Sequence, residues 1–107
     1  MEDCLFCKII NKEIPSTMIY EDDEIVAFND IHPKTKTHIL IVSKKHIDTI
    51  KGLKAEEGDG DLVGKMVLVA QHLGKEKNLD GYTLQFNVGK SAGQEVFHIH
   101  LHLLSNK

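Results

Sequence analysis

The stretch Glu95-Val96-Phe97-His98-Ile99-His100-Leu101-His102-Leu103-Leu104 alternates two kinds of residue with a period of two. Read as a strand over its whole length, it places Phe97, Ile99, Leu101 and Leu103 on one face. Val96, His98, His100 and His102 fall on the other. The first face suits a core. The second carries three imidazoles in a row, with same-face neighbours roughly 6.5–7 Å apart, a spacing that suits one extended substrate. The bland alternative is an exposed polar face that happens to be histidine. Histidine is uncommon, and strict alternation inside an apolar run fits that alternative poorly. A purification tag is contiguous and lacks the interleaved leucine and β-branched residues. A three-histidine metal site would require the strand to bend, and two of the three share an ion more easily than all three.

Neutral imidazole is a good nucleophile near pH 7 and forms covalent intermediates. Against a phosphorus ester or amide it makes a phosphorus–nitrogen bond that water later breaks. The attacking nitrogen must carry the lone pair, so the other ring N–H must be held by an acceptor. Flanking histidines can then donate to phosphate oxygens. The middle residue, His100, is the expected nucleophile. The preceding turn, Gly89-Lys90-Ser91-Ala92-Gly93-Gln94, lets backbone N–H groups approach an anion. The sequence has no GxxxxGK[ST] loop, so the expected chemistry leans on histidine.

Working outward, Tyr82 to Val88 alternates as a strand. The residues Leu62, Met66, Val69 and Leu73, with Val63, Val67 and Ala70, recur at helical spacing over about four turns. Asp59 or Asp61 is the expected cap of that helix. His38 to Ser43, Glu24 to Phe28 and Met18 to Tyr20 read as strands. Leu5 to Asn11 reads as a short helix that stops before Pro15. The expected fold is α+β: a mainly antiparallel sheet with one long helix on one face and a short N-terminal helix. At 107 residues the chain is expected to form one domain over 1–107, small enough to gain from oligomerisation. A formal charge of −3 gives no long-range attraction for nucleic acid, so no nucleic-acid partner is expected. No membrane partner is expected either, since no run approaches the roughly 20 apolar residues of a spanning helix. The opening Met1-Glu2-Asp3-Cys4 is acidic where a signal peptide is basic, so the expected location is cytoplasmic.

The segment from Ala92 to Leu104 resembles the signature of the histidine triad (HIT) family. Asp30-Ile31 with His38-Ile39-Leu40-Ile41-Val42, then Lys44-Lys45-His46-Ile47, resembles that family's first half. So does Cys4-Leu5-Phe6-Cys7-Lys8-Ile9-Ile10. The resemblance covers about Cys4 to Leu104 and is nearest to the Hint branch, the histidine triad nucleotide-binding proteins. It implies a homodimer whose sheets join across the interface. It implies binding of purine mononucleotides and hydrolysis of nucleoside phosphoramidates, including adenylated amines. By position, His100 would take the nucleotidyl group, His102 would contact the α-phosphate, and His38 and His98 would support them. Asp30 would accept from ribose hydroxyls beside Ile31. Asn87, Gly93, Gln94 and Glu95 would line the phosphate side. Phe6, Ile9 and Phe28 would form the slot for the base.

Cys4-x-x-Cys7 is half of a zinc site by spacing, and a cytosolic pair of this kind is a metal or redox pair before it is a disulfide. No second CxxC exists, so histidines must complete a site. His46 and His98 are the candidates, at positions that resemble the zinc ligands of bacterial Hint-like proteins. A closed four-ligand site would be structural. Two departures bear on the leaving group. Many relatives have serine where this chain has Glu95. They also usually continue past Ser105-Asn106-Lys107 through a glycine pair and a tail, whose loss is expected to broaden leaving-group choice or slow turnover. Three alternatives stay open here: a diadenosine polyphosphate hydrolase, a nucleotide-binding module with negligible turnover, and a plain zinc-binding protein.

Overall fold

A computed structural model describes residues 4–107. The acidic opening Met1 to Asp3 lies outside the described residues. The elements run α1 (Leu5–Ile10), β1 (Met18–Glu21), β2 (Ile25–Asn29), β3 (Thr37–Ser43), α2 (Asp59–Glu76), β4 (Thr83–Gln85) and β5 (His100–Ser105). The strands form one five-stranded sheet, ordered β1-β2-β3-β5-β4, with every neighbouring pair antiparallel. The α+β expectation holds. Among the described residues no helix is long and apolar enough to cross a membrane.

Both faces of the sheet are covered, and the period of two assigns them. Ile25, Ala27, Ile39, Ile41, Leu101 and Leu103 point toward α2 and pack with Leu62, Met66, Val69, Ala70 and Leu73. These helix residues are the stripe expected from helical spacing, and α2 lies across β3 and β5. On the opposite face Val26, Phe28, Leu40 and Val42 pack with Phe6 and Ile9 of α1. Val42 pairs with His100, and Leu40 with His102, so both histidines share the α1 face.

Three expectations need correction. The last strand starts at His100, not Glu95, and Phe97 is 42% exposed instead of lining the core. Residues 95–99 take their path from long-range bonds. The Ile99 N–H donates to the Ile47 carbonyl at 2.8 Å, and the buried His98 ring donates from Nε2 to the Ser43 carbonyl at 2.6 Å. The strand expected over Tyr82 to Val88 is only Thr83–Gln85, because the chain then turns into the glycine-bounded loop. Neither Asp59 nor Asp61 caps α2. Gly58, at φ +79°, is the N-cap, and no side chain caps the helix there. Asp59 is the first helical residue. Its carboxylate accepts from the Lys54 N–H and from Lys45 Nζ, both at 2.7 Å, tying the preceding 3-10 turn to the helix start. Lys45 holds the Asp59 carboxyl below its ordinary range, with help from the Lys54 N–H.

Candidate active site and metal centre

Five histidines, two cysteines and one short helix meet on the α1 face. Cys4 is the N-cap of α1, and its Sγ accepts from the Cys7 N–H at 3.3 Å. That capping bond holds the Cys4 sulfur at the helix start, and both sulfurs lie beside the bend before β5. Cys4 Sγ lies 3.3 Å from His98 Nδ1, and Cys7 Sγ lies 3.5 Å from the same atom. Cys7 Sγ is also 3.3 Å from His46 Nδ1. The ligand atoms of Cys4, Cys7, His46 and His98 all lie within 4.8 Å of one another.

The far side of each ring shows which nitrogen faces the sulfurs as a base. His98 Nε2 donates to the Ser43 carbonyl at 2.6 Å, and His46 Nε2 donates to Asp48 Oδ1 at 2.6 Å. Both N–H groups are thereby committed outward, and both Nδ1 lone pairs point inward. Burial pushes the Cys7 thiol up to about 11, helped by its bond to Cys4 and the nearby Cys4 charge. Burial likewise pushes His98 down to about 4, against the Ser43 carbonyl bond. Two thiols and two imidazole lone pairs converging without an internal cation is the donor set of a tetrahedral zinc site. A tetrahedron with bonds of about 2.0–2.1 Å to nitrogen and 2.3 Å to sulfur has S···N edges of roughly 3.5 Å, close to the separations present. The residues fit the ion, and the outward His46–Asp48 bond is the carboxylate partner that orients a metal-bound imidazole.

The second constellation begins on the backbone of His98. Its carbonyl accepts the His100 Nδ1–H at 2.8 Å. His100 therefore keeps its lone pair on Nε2. Its ring meets Phe6 edge-on with centroids 5.0 Å apart. Burial lowers its affinity for a proton, while the His98 carbonyl and Asp30 oppose that. His102 stands beside it, 4.9 Å between centroids. The Lys34 N–H donates to His38 Nδ1 at 3.1 Å, so neutral His38 carries its proton on Nε2 and donates it to His102 Nδ1 at 2.9 Å. The His102 proton then resides on Nε2. Asp30 Oδ2 lies 3.5 Å from His38 Nε2, and Asp30 Oδ1 accepts from the His32 N–H at 2.9 Å. The result is one free lone pair on His100 beside one outward N–H on His102.

The remaining expected residues divide into two groups. Phe6, Ile9 and Phe28 are buried on the histidine face, and Phe6 and Phe28 pack edge-to-face at 5.6 Å. Ile31 is 86% exposed beside Asp30. Asn87 accepts from Gln85 and donates from Nδ2 to the Ala92 carbonyl at 2.8 Å, which braces the glycine turn. That turn uses positive φ at Gly89 (+92°) and Gly93 (+88°), which glycine adopts without strain. Gln94 is 4% exposed with its side chain fully engaged: Oε1 accepts from the Gly89 N–H, and Nε2 donates to the Asp48 and Val96 carbonyls. Glu95 is exposed. Sequence reasoning missed Asp48 and the Lys34 amide. The acid two residues past His46 was the available signal for Asp48; a backbone amide leaves none.

A model of the HIT domain matches residues 11–107. The chain is 48% identical over 105 residues to the 14 kDa zinc-binding protein of Zea mays, covering 96% of this chain and 81% of that one. It is 42% identical over 108 residues to the purine nucleoside phosphoramidase of Escherichia coli, covering 99% and 89%. Among solved structures, a HIT family hydrolase from Legionella pneumophila superposes with a TM-score of 0.92 at 47% identity, covering 98% of this chain and 94% of that one. A zinc-bound histidine triad protein from Mycobacterium smegmatis gives 0.85 at 33% identity, covering 99% and 76%. The chain therefore belongs to the histidine triad (HIT) family, in its Hint branch.

Proposed function

We propose that the protein is a nucleotide-binding hydrolase that cleaves purine nucleoside phosphoramidates through a covalent nucleotidyl-His100 intermediate. The observation that carries this reading is the 2.8 Å bond from His100 Nδ1 to the His98 carbonyl, which leaves Nε2 as a lone-pair nucleophile. In the first step Nε2 forms a bond to the α-phosphorus and the phosphorus–amine bond breaks. The amine leaves with the bonding pair and takes a proton from water. The Nδ1–H stays on the His98 carbonyl, which stabilises the positive ring. In the second step water attacks the phosphorus, the phosphorus–Nε2 bond breaks, and the attacking water loses its proton to solvent. The His102 Nε2–H donates to a non-bridging oxygen in both steps.

Asp30 is the ribose acceptor, and Ile31, Phe6, Ile9 and Phe28 bound the base. The Asn87-braced turn, with Gly93 and Glu95, faces the phosphate, and the buried Gln94 supports it from within. The name of the Escherichia coli relative supports the reaction class. Cys4, Cys7, His46 and His98 hold zinc, a reading supported by the zinc-binding maize relative and the zinc-bound mycobacterial structure. With four protein ligands the ion has no open position and supplies rigidity. The working unit is one domain acting in a homodimer, consistent with the short edge strand β4 and the exposed Leu68 of α2.

Replacing His100 with Asn should lower turnover of an adenosine phosphoramidate by roughly 10³-fold or more. AMP should still bind, and the mass of quenched protein should no longer show a nucleotidyl adduct. Undiminished turnover overturns the assignment. Faster cleavage of a diadenosine polyphosphate than of the phosphoramidate would shift the substrate class while keeping the nucleophile.

A further inference from the structure

The segment His46-Ile47-Asp48 is bonded within itself and reaches outward in three directions. Its first residue offers Nδ1 to the metal centre and Nε2–H to Asp48 Oδ1. The Ile47 carbonyl accepts the Ile99 N–H at 2.8 Å, between the metal residue His98 and the nucleophile His100. The Asp48 carbonyl accepts from Gln94 Nε2 at 2.8 Å. Gln94 in turn receives the Gly89 N–H on Oε1 at 2.9 Å, and its own N–H donates to the Gly89 carbonyl at 3.1 Å. One connected path of short bonds therefore runs from the metal ligands to the glycine turn. Gln94 is buried, and both its side-chain polar atoms and its backbone N–H are spent inside the protein. It has no remaining donor for a phosphate oxygen.

We infer that Gln94 is a positioning residue that couples metal occupancy to the order of the 87–94 turn through Asp48. The inference rests on the proposed phosphate role of that turn, but the coupling itself can be read without any nucleotide. With the metal bound, His46 is fixed, Asp48 is fixed by His46, and Gln94 holds Gly89 against the Asp48 carbonyl. Without it, His46 loses its inward partner and the path loses its anchor. The Gly89 N–H is the reporter, because its acceptor is the Gln94 side chain and no helix or strand protects it.

The test is amide hydrogen exchange on the whole protein, zinc-loaded and after chelation. Gly89 exchange should accelerate at least about tenfold on zinc removal, while the β2–β3 amides, such as Val42, keep their protection. In Gln94→Met, of similar length but without the polar ends, Gly89 should exchange fast with or without zinc. Asp48→Ala keeps the backbone carbonyl but removes the link to His46, so it should weaken zinc affinity by about 10–100-fold and leave Gly89 exchange insensitive to zinc even at saturation; zinc protection of Gly89 equal to wild type in this variant would overturn the route through Asp48. An unchanged Gly89 rate on zinc removal, with the β2–β3 amides intact, overturns the coupling. If removal also exposes those amides, loaded wild type is compared with loaded Gln94→Met, and equal Gly89 protection overturns it. Failure of the phosphoramidase assay would leave these exchange results standing, so the two readings fail separately.

Discussion

Acid should destabilise this protein through His102, and His102→Asn should remove that part of the loss. Burial is the main cause of the depressed proton affinity of His102; the neighbouring His100, His38 and Lys34 add to it, and Asp30 opposes it. Its value falls from 6.5 to about 4. The folded state therefore refuses a proton that the unfolded chain accepts. The contribution of the neutral ring is complete above pH 6.5 and is lost as pH falls toward 4. Between pH 7 and pH 5 the linkage integral gives at most about 2 kcal/mol, and the partial exposure of the ring sets the expected loss at about 1–2 kcal/mol. Urea unfolding at pH 7, 6 and 5 with saturating zinc measures it. Asn at position 102 places an amide oxygen near the former Nδ1, so His38 keeps an acceptor for its N–H. Any acid loss of metal strikes both proteins alike, and the difference between their pH slopes isolates His102. Parallel slopes for the two proteins would refute the claim that His102 is neutral in the fold.

Two further outcomes follow from the packing and the metal centre. Cys7→Ser replaces a sulfur 3.3 Å from His46 Nδ1 with a poor zinc ligand, so bound zinc should fall from about one per chain to a few tenths after dialysis; elemental analysis retaining a full equivalent would remove Cys7 from the site. Met66 is fully buried between α2 and the sheet, so Met66→Ala should cost about 2–5 kcal/mol in urea unfolding and leave zinc content unchanged. A cost below about 1 kcal/mol would mean that the core closes around the gap.

Much of this architecture can be read from alternation alone, and the boundary of what can be read is instructive. Ile99, Leu101 and Leu103 do enter the α2-side core, while His100 and His102 face the other way. The pattern misleads upstream of His100, where Phe97 turns outward. Local periodicity carries no record of a bond from Ile99 to Ile47, or from His98 to Ser43, fifty-odd residues distant. The helix start shows the same limit. An aspartate before an apolar run suggests a cap, yet Asp59 serves Lys54 and Lys45, partners that only the turn from 50 to 58 brings near. Composition pointed to the metal residues because cysteine is scarce and its spacing distinctive. Asp48 and Gln94 are common residues whose roles lie wholly in what they touch.

His98 explains why the first member of the histidine row is needed even though its ring does not face the phosphate side. Three of its atoms serve three elements. Nε2–H binds the Ser43 carbonyl at the end of β3, Nδ1 faces the cysteines of α1, and the backbone carbonyl holds the His100 proton. On the proposed mechanism, the ring fixes the carbonyl and the carbonyl fixes the nucleophile's tautomer. A residue without the ring would still supply a carbonyl, but one free to move in a segment that is not a regular strand. The metal centre and the nucleophile are therefore adjacent for a structural reason. The bend that releases His98 from the strand lets its ring turn to the cysteines while its carbonyl turns to His100. Continued pairing of β5 through residue 98 would direct that carbonyl along the sheet, away from the ring two residues on.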